Sequence, residues 1–440
     1  METRASTQSV LYQKIGLIIK GIGAFVVLSG LLVNPWLGRF YRRNIIEYQD
    51  VMLTYFIWSV SIGLIIIGLG IMFRRMKSPT AVNIIILSLT CLLIVLSDRI
   101  LLAWYGLPLW VADIEKHYAH RPNTIRLWGP SFDNKLIRIN QHGHHDDDFP
   151  IDKADDEFRG LMIGDSITMG HGMIYEDTFP NQLEDILREK NGDHITYQMI
   201  NAGVQGYSTF QEYHSLMESL QFNPDFVALG FCMNDLSEPF VVDKRFGGVG
   251  SDYHGIAQAS SHIISYVLNE TGYGRWLQNQ QKRGKSLEVE RRWEAFSIGK
   301  IAQSRRDDPQ FALNWETTFA HLDKIYNAAK DKNIRLVLMI FPHTFQFMND
   351  RMKEPQRQLI EHAESKNIDV IDFTQVFEDR IFDEHIESQL YENGFSLKDM
   401  RRMYNPIIRK YFLDSDHYTV EGHRVVASHL YSYISENFSF

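Results

Sequence analysis

Cysteine is nearly absent from this sequence: its 440 residues include only Cys91 and Cys232. Two cysteines exclude a disulfide framework, although they leave the cellular compartment undecided. An excess of positive charge is also missing, because 54 acidic residues outnumber 45 basic residues and give a net charge of −9. This balance argues against nucleic acid as the main partner. The chain also lacks internal repeats and long low-complexity tracts, which excludes repeat architectures.

Long apolar runs are present near the N-terminus. Residues 15–33, 52–73 and 81–105 are each long enough to cross a hydrocarbon layer about 30 Å thick, and this length favours membrane spans over buried core helices. Lys20 interrupts the first run but lies near its end, where its amine can reach the interface. Further apolar runs follow the first one, and no small-residue cleavage site follows it. Both observations disfavour a cleaved signal peptide. We therefore predict a membrane domain with three transmembrane helices over residues 1–105.

The distribution of positive charge predicts the orientation of these spans. The segment before the first span and the loop between the second and third spans share one side of the membrane. Both are basic: Arg4, Lys14 and Lys20 flank the first span on its N-terminal side, and Arg74, Arg75 and Lys77 lie in the loop. The other loop contains three arginines with acidic residues close by. The positive-inside rule then predicts a multi-pass protein of the cytoplasmic membrane whose C-terminal part is extracytoplasmic, with the membrane itself as a partner.

Residues 106–157 are predicted to form a polar connector that contains several prolines. Its run HGHHDDD, residues 142–148, invites a metal-site hypothesis because histidine and aspartate are common metal ligands. Adjacent side chains such as His144 and His145 diverge on a strand or helix, however. We therefore favour a solvated loop over a metal site here, and we predict no cofactor and no metal.

From residue 158 onward, apolar strand patterns alternate with amphipathic helix patterns. The predicted strands cover 158–164, 195–203, 225–231, 334–342 and 368–373. The predicted helices cover 178–191, 208–220, 315–332, 354–366 and 420–438, with Thr178 and a serine as caps of the first two. This alternation indicates βαβ units and a parallel sheet with helices on both faces, in an α/β domain over 158–440.

Residues 236–312 interrupt this alternation. The segment is rich in aromatic residues and contains short basic runs such as Arg291-Arg292 and Arg305-Arg306. We interpret it as a helical insertion over the strand ends. It could serve as a lid, a partner surface or a membrane-facing patch, or it could be a plain packed helical pair.

Chemically reactive residues follow the predicted strands at four places. Ser166 follows the first strand, residues 201–206 follow the second, Asn234-Asp235 follow the third, and residues 414–417 precede the last helix. The carboxyl ends of parallel strands meet at one edge of a sheet, so we expect these stretches to lie close together.

These residue types suit acyl transfer. Ser166 is the expected nucleophile, because a serine hydroxyl reacts once a base removes its proton, and His417 is the expected base. A carboxylate must orient that histidine, and we prefer Asp414 over Asp416 because its spacing lets it fold back onto the ring. The expected oxyanion hole consists of the Ser166 N–H, the Gly203 N–H and the side-chain amide of Asn234.

Other residues near these stretches have structural interpretations. The run 164–168 lacks the G-x-S-x-G pattern of a nucleophile elbow, which disfavours an α/β-hydrolase fold. We expect His423 to be a packed or capping histidine rather than a second base. We also expect Asp165 and Asp235 to accept hydrogen bonds within their own loops.

The four stretches together resemble the conserved blocks of the SGNH (GDSL-type) hydrolase superfamily. The matching segments are GDSIT at 164–168, NAGVQG at 201–206, MND at 233–235 and DSDHYTVEGH at 414–423, and RINQHG at 138–143 resembles the lead-in of many relatives. On these matches Ser166, Gly203, Asn234, Asp414 and His417 take the family's site positions. Cys232 departs from the pattern, because the family usually has glycine there. The resemblance implies a three-layer α/β/α, flavodoxin-like fold with metal-free esterase, lipase or acyltransferase activity.

The sequence therefore predicts a membrane-anchored serine ester hydrolase that acts on a glycan or lipid ester, such as an esterase or deacetylase. One alternative is an O-acyltransferase that modifies an envelope polysaccharide and receives acyl groups from a membrane donor protein. The other is a non-catalytic glycan-binding protein, which the intact set of reactive residues argues against.

Overall fold

The structure is a computed structural model, and it describes residues 92, 95–102, 109–113, 115–127, 135–192, 194–236, 271–273, 301–309, 311–347, 349–382, 392 and 397–438. These residues divide into two compact units. In the smaller unit, the Tyr273 N–H donates a hydrogen bond to Asp98 Oδ1 at 3.1 Å. The larger unit begins at Leu109 and contains all the elements described below.

The larger unit begins with two small antiparallel sheets. Strand β1 (Trp110–Asp113) pairs with β2 (His117–His120), and β3 (Thr124–Leu127) pairs with β4 (Leu136–Ile139). This segment was predicted to be a polar connector, but Ile137 and Ile139 of β4 are buried together with Met169 in one apolar cluster.

The predicted solvated loop at 142–148 is wrong for its central residues. His144, His145 and Asp146 are buried. The His145 Nδ1–H donates a hydrogen bond to Met169 O at 2.8 Å, and Asp146 Oδ2 accepts one from Asn201 N at 3.0 Å. These contacts with residues distant in the chain explain why a polar run lies inside the protein.

The predicted parallel sheet is present and, within the described residues, has five strands: β5 (Glu157–Gly164), β6 (Thr196–Asn201), β7 (Phe226–Phe231), β8 (Arg335–Ile340) and β9 (Asp369–Asp372). Their spatial order is β6-β5-β7-β8-β9 and every pairing is parallel. This is the flavodoxin-like order, and its switch point lies between β5 and β7, because the chain leaves β5 toward β6 on one side and leaves β7 toward β8 on the other.

Helices follow these strands in chain order. They are α1 (Ser166–Met169), α2 (Phe179–Asn191), α3 (Thr209–Ser219), α4 (Ala312–Asp331), α5 (Glu354–Lys366), α6 (Phe373–Ile381), α7 (Leu397–Tyr411) and α8 (Val420–Asn437). Ser208 caps α3 through a reciprocal capping box with Gln211. Thr178 precedes α2 as predicted, but its hydroxyl donates to Tyr175 O at 2.7 Å and makes no side-chain cap.

Two apolar clusters cover the two faces of the sheet. One joins the sheet to side chains of α2, α6, α7 and α8, and it includes Leu183, Phe377 and Leu430. The other joins it to α3, α4 and α5, and it includes Leu216 and Leu359. Helices on both faces give the three-layer arrangement and shield strands whose residues are almost continuously buried, such as β7.

No helix within the described part of the chain is long and apolar enough to cross a membrane. The predicted spans at 15–33, 52–73 and 81–105 lie outside that part, apart from residues 92 and 95–102. Most of the predicted insertion at 236–312 also lies outside it.

Candidate active site

The turn after β5 positions Ser166. The strand ends at Gly164. Its φ is +155°, and a Cβ added at this position would lie only 2.2 Å from Thr168 Oγ1, so both features favour glycine. Asp165 then caps α1, and its Oδ1 accepts a hydrogen bond from Ile167 N at 2.8 Å. Helix α1 therefore starts at Ser166, just beyond the carboxyl end of β5.

His417 lies on the loop between α7 and α8. That loop is held to the segment after β8, because the Thr344 N–H donates to Ser415 O at 2.7 Å. The geometry brings His417 Nε2 to 2.9 Å from Ser166 Oγ, although the two residues are 251 positions apart. His417 Nδ1 lies 2.9 Å from Asp414 Oδ2 and 3.1 Å from Asp414 Oδ1. The three side chains thus form one connected hydrogen-bonded chain.

Asp414 and Asp416 differ in how they meet the imidazole. Asp414 also accepts the backbone N–H of His417 at 3.0 Å, which folds its carboxylate back onto the ring. Asp416 Oδ1 lies 3.9 Å from His417 Nδ1, beyond hydrogen-bond range, and accepts the Ser415 hydroxyl at 2.6 Å. Asp414 is therefore the carboxylate with the geometry of an orienting group.

The local charges favour the protonated form of His417. Burial by itself lowers the pKa of His417, but the hydrogen bond to Asp414 and the charges of Asp416, Asp414 and Asp165 outweigh burial and raise the pKa to about 9. Burial likewise works to raise the pKa of Asp414, but the hydrogen bond from His417 and its charge lower it well below its usual range. The site can thus hold the imidazolium that forms when a serine gives up its proton.

Two candidate oxyanion donors lie near Ser166. The backbone of Gly203 passes so close to α1 that an added Cβ would lie 2.3 Å from Met169 N. Its N–H makes a long hydrogen bond, 3.3 Å, to Asn201 Oδ1. Asn234 Nδ2 donates to Asp165 Oδ2 at 2.8 Å. Because a carboxylate only accepts, this bond fixes the amide nitrogen, and its second N–H is the one that can reach an oxyanion.

We expect Asn234→Ala to lower kcat on an acetyl ester by about 10²–10³-fold, the effect of removing one oxyanion donor. The thermal unfolding midpoint is measured alongside, since the loss should come from the transition state and not from folding. If kcat fell by less than about fivefold in a variant with a normal unfolding midpoint, this role would be contradicted.

The pH dependence of catalysis should follow His417. A protonated imidazole cannot accept the serine proton, so kcat/KM should rise with pH through the pKa of His417. The charge of Asp416 stabilises the imidazolium, and we expect Asp416→Asn to move the midpoint of the kcat/KM profile to lower pH. An unchanged midpoint, or one moved upward, would contradict this assignment.

Among the described residues, two groups lie close enough to hold a metal ion: Cys232, His343 and Asp416, and Asp414, Asp416 and His417. In the first, burial raises the pKa of the Cys232 thiol well above its usual value, so the site by itself holds the neutral thiol, whose Sγ lies 3.6 Å from His343 Nε2. In the second, the His417 ring nitrogens already contact Ser166 and Asp414. We therefore assign no metal to either group. Neither includes the histidines of the 142–148 run.

The other sequence interpretations can be compared with the structure. Asp165 and Asp235 accept hydrogen bonds in their own loops, as predicted; Asp235 Oδ2 accepts the Cys232 N–H at 2.8 Å. His423 is buried, and its Nδ1 accepts the Phe179 N–H at the start of α2 at 3.3 Å, so the prediction of a packed, capping histidine is confirmed.

Sequence reasoning missed the residues that support the 201–207 loop from the N-terminal strands. The Tyr118 hydroxyl of β2 donates to Gln205 O at 2.8 Å, and the Tyr207 hydroxyl donates to Tyr118 O at 2.7 Å. Asp146 holds Asn201 at the start of the same loop. The only available sequence signal was the position of Asp146 shortly before the first strand of the parallel sheet.

The fold and site define an α/β protein with the side-chain arrangement of a serine hydrolase. The family model of the GDSL-like Lipase/Acylhydrolase family matches residues 162–425. This match spans more than half of the sequence and includes the four stretches identified above. The chain belongs to the GDSL-like Lipase/Acylhydrolase family, and it is an ester-hydrolysing enzyme.

Several solved structures are similar at low identity. The crystal structure of an acetyl xylan esterase, AlAXEase, matches at 16% identity and a TM-score of 0.33, and the match covers 63% of this chain and 100% of that chain. A catalytic mutant of an acetylxylan esterase from Geobacillus stearothermophilus matches at 14% identity and a TM-score of 0.34. The match covers 64% of this chain and 95% of that chain. A GDSL-like lipase from Bacteroides thetaiotaomicron VPI-5482 matches at 13% identity and a TM-score of 0.31. The match covers 64% of this chain and 89% of that chain. Scores this low carry no argument about substrate. No curated protein sequence matches the chain.

Proposed function

We propose that the protein is a serine esterase that works through an acyl-enzyme, with Ser166 as nucleophile, His417 as general base and Asp414 as the group that orients it. The observation that carries the proposal is the 2.9 Å distance between Ser166 Oγ and His417 Nε2, with Asp414 bonded to the opposite ring nitrogen. Proton transfer requires a base within hydrogen-bond reach of the nucleophile, and this pair meets that requirement.

The reaction follows from this geometry. Ser166 Oγ attacks the ester carbonyl while His417 Nε2 takes its proton, and Asp414 stabilises the resulting imidazolium. The N–H groups of Ser166 and Gly203 and the Asn234 amide donate to the oxyanion of the tetrahedral intermediate. His417 then protonates the leaving alcohol. Water, activated in the same way, releases the acyl group.

Ser166 and His417 are partly exposed to solvent, and Asp414 beside them is exposed. The His417 side chain is 17% exposed and that of Asp414 is 49% exposed. Solvent therefore reaches one side of the three residues, which leaves room for a substrate such as an acylated glycan to extend away from the site.

A panel of esters that differ only in acyl length, tested with the wild type and Ser166→Ala, examines this proposal. Serine-dependent hydrolysis restricted to acetyl esters supports a deacetylase that acts on a glycan. A preference for long acyl chains supports a lipid substrate. Hydrolysis that Ser166→Ala retains in full contradicts the assignment of the nucleophile.

The membrane location is part of the proposal and is supported by the apolar runs in the sequence. We propose that residues 1–105 anchor the enzyme in the cytoplasmic membrane with its hydrolase domain outside. A protease added to intact cells should then degrade that domain. A domain that is protected until the membrane is permeabilised contradicts this orientation.

The same acyl-enzyme could transfer its acyl group to a sugar. If transfer dominates, an acceptor glycan should increase the rate of acyl-enzyme turnover and yield an acylated glycan instead of free acid. An acyltransferase of this kind would receive its acyl groups from a membrane donor protein. Unchanged release of free acid in the presence of the glycan supports hydrolysis.

A further inference from the structure

Two neighbouring residues that precede the parallel sheet bond to the two walls of the candidate oxyanion hole. The His145 Nδ1–H donates to Met169 O at 2.8 Å, at the end of α1, the helix that begins with the expected nucleophile. Asp146 Oδ2 accepts the Asn201 N–H at 3.0 Å, two residues before Gly203. Both side chains are buried. One dipeptide therefore contacts both backbone segments that carry the expected N–H donors.

Asn201 also links these two walls directly. Its Nδ2 donates to Met169 O at 3.3 Å, and its Oδ1 accepts the Gly203 N–H at 3.3 Å. Met169 O thus receives the amide of Asn201 as well as the imidazole of His145. A displacement of the Asn201 backbone would therefore move the Gly203 N–H relative to α1, and Asp146 bonds that backbone.

A third residue holds the other end of the same loop. The Tyr118 hydroxyl of β2 donates to Gln205 O at 2.8 Å, and the Tyr118 and Tyr207 rings pack edge to face with centroids 5.4 Å apart. Gly203 lies between the two attachment points, which are Asn201 and Gln205. The loop is therefore fixed on both sides of the expected oxyanion donor.

A second buried carboxyl group bonds the same strand but not the loop. Glu184 Oε1 of α2 accepts the Met199 N–H at 2.6 Å, two residues before the N–H that Asp146 accepts. In the described part of the chain β6 lies at the edge of the sheet, so its outward N–H groups need such acceptors. Burial raises the pKa of both carboxyl groups, and each has an oxygen that accepts in either protonation state. The two carboxyl groups thus differ mainly in position: only Asp146 bonds the residue from which the loop starts.

We propose that Tyr118, His145 and Asp146 are positioning residues for the oxyanion hole, and that they hold the Gly203 N–H where it and the Ser166 N–H can both reach the oxyanion. We call these three residues the N-terminal brace. This inference rests on the proposed function, and the brace lies before residue 162, outside the segment that the family model matches. A donor stabilises the oxyanion only within hydrogen-bond distance, so a displaced loop weakens transition-state binding more than substrate binding.

Asp146→Ala removes the acceptor of the Asn201 N–H, and Glu184→Ala is the matched control on the same strand. Both should lower the thermal unfolding midpoint, because each leaves a buried N–H without an acceptor. On p-nitrophenyl acetate we expect kcat of Asp146→Ala to fall about tenfold while KM changes less than about twofold. Both constants of Glu184→Ala should stay within about twofold of wild type. Asp146→Asn keeps an oxygen at this place and should restore kcat to within about threefold of wild type.

Methylboronic acid reports on the oxyanion hole separately, because its tetrahedral adduct with a serine hydroxyl resembles the intermediate of acetyl transfer. We expect its inhibition constant to rise about tenfold in Asp146→Ala and to stay unchanged in Glu184→Ala. Tyr118→Phe removes a single hydroxyl and provides the test if Asp146→Ala does not fold. Its kcat should fall about fivefold. Tyr433→Phe on α8, whose hydroxyl bonds Asp369 Oδ2 at 2.6 Å, is the control and should keep full activity.

Equal kcat values for Asp146→Ala and Glu184→Ala, or an unchanged inhibition constant for methylboronic acid, would overturn the inference. So would a loss in Asp146→Asn as large as in Asp146→Ala or, if the latter does not fold, an unchanged kcat in Tyr118→Phe. In each of these cases, hydrolysis by the wild type that depends on Ser166 would leave the proposed function standing. If Ser166→Ala hydrolyses the ester as fast as the wild type, the proposed function itself fails.

Discussion

Ser166→Ala should lower kcat on an acetyl ester by about 10⁴–10⁶-fold and leave folding intact. The size of the loss follows from the role of the hydroxyl: without it no acyl-enzyme can form, and only binding and the oxyanion donors still act on the substrate. The hydroxyl makes its contact with His417 at the cleft, so removing it leaves the apolar core unchanged. Steady-state hydrolysis and thermal unfolding of the purified variant measure the two effects separately.

Ser432→Ala is a matched control, because this exposed serine lies on α8 and its hydroxyl bonds only the preceding turn through Ser428 O at 3.2 Å. The control should retain full activity. If Ser166→Ala kept more than about a tenth of wild-type activity, the nucleophile would have to be another group.

Asp414→Asn should lower kcat by about 10⁴-fold. The amide can place an N–H toward His417 Nδ1, which moves the ring proton to Nε2 and leaves no acceptor facing Ser166. The aspartate also accepts two backbone N–H groups of its own loop, from Asp416 at 3.1 Å and His417 at 3.0 Å. Asparagine keeps an oxygen for these bonds, so the loop should fold as before. The catalytic loss is measured as kcat at the alkaline plateau, the pH range above the pKa of His417 where the rate no longer changes with pH.

Asp416→Asn provides the comparison, because the two carboxylates lie two positions apart on the same loop. Its oxygen is 3.9 Å from His417 Nδ1, and we expect less than a tenfold loss at the alkaline plateau. The reverse ranking, with Asp416→Asn inactive and Asp414→Asn nearly normal, would transfer the orienting role to Asp416.

The main elements of the hydrolase domain could be predicted from the sequence because their patterns are local. Strand β7, for example, is a continuous apolar run that is buried throughout, and α3 starts at a serine three residues before a glutamine. The polar stretches at the strand ends could also be placed, since the topology of a parallel sheet brings those ends together. Their catalytic roles remain predictions that the variants above test.

Other features depend on contacts between distant residues and leave little local signal. Strands β1 to β4 have only four residues each, too few for alternation to be recognised. Asp146 lies in a run of three aspartates, and its burial depends on a hydrogen bond from Asn201, 55 residues away. Helix α7 contains Pro406 in its interior, where a proline in the sequence argues against a helix.

The proposed activation of Ser166 by His417 is tested most directly by mapping the adduct of a fluorophosphonate probe by mass spectrometry. We predict a single stoichiometric adduct on Ser166 in the wild type, with labelling at least 10³-fold slower in His417→Ala. An adduct on a different residue, or equal labelling of Ser166 without the imidazole, would contradict the account.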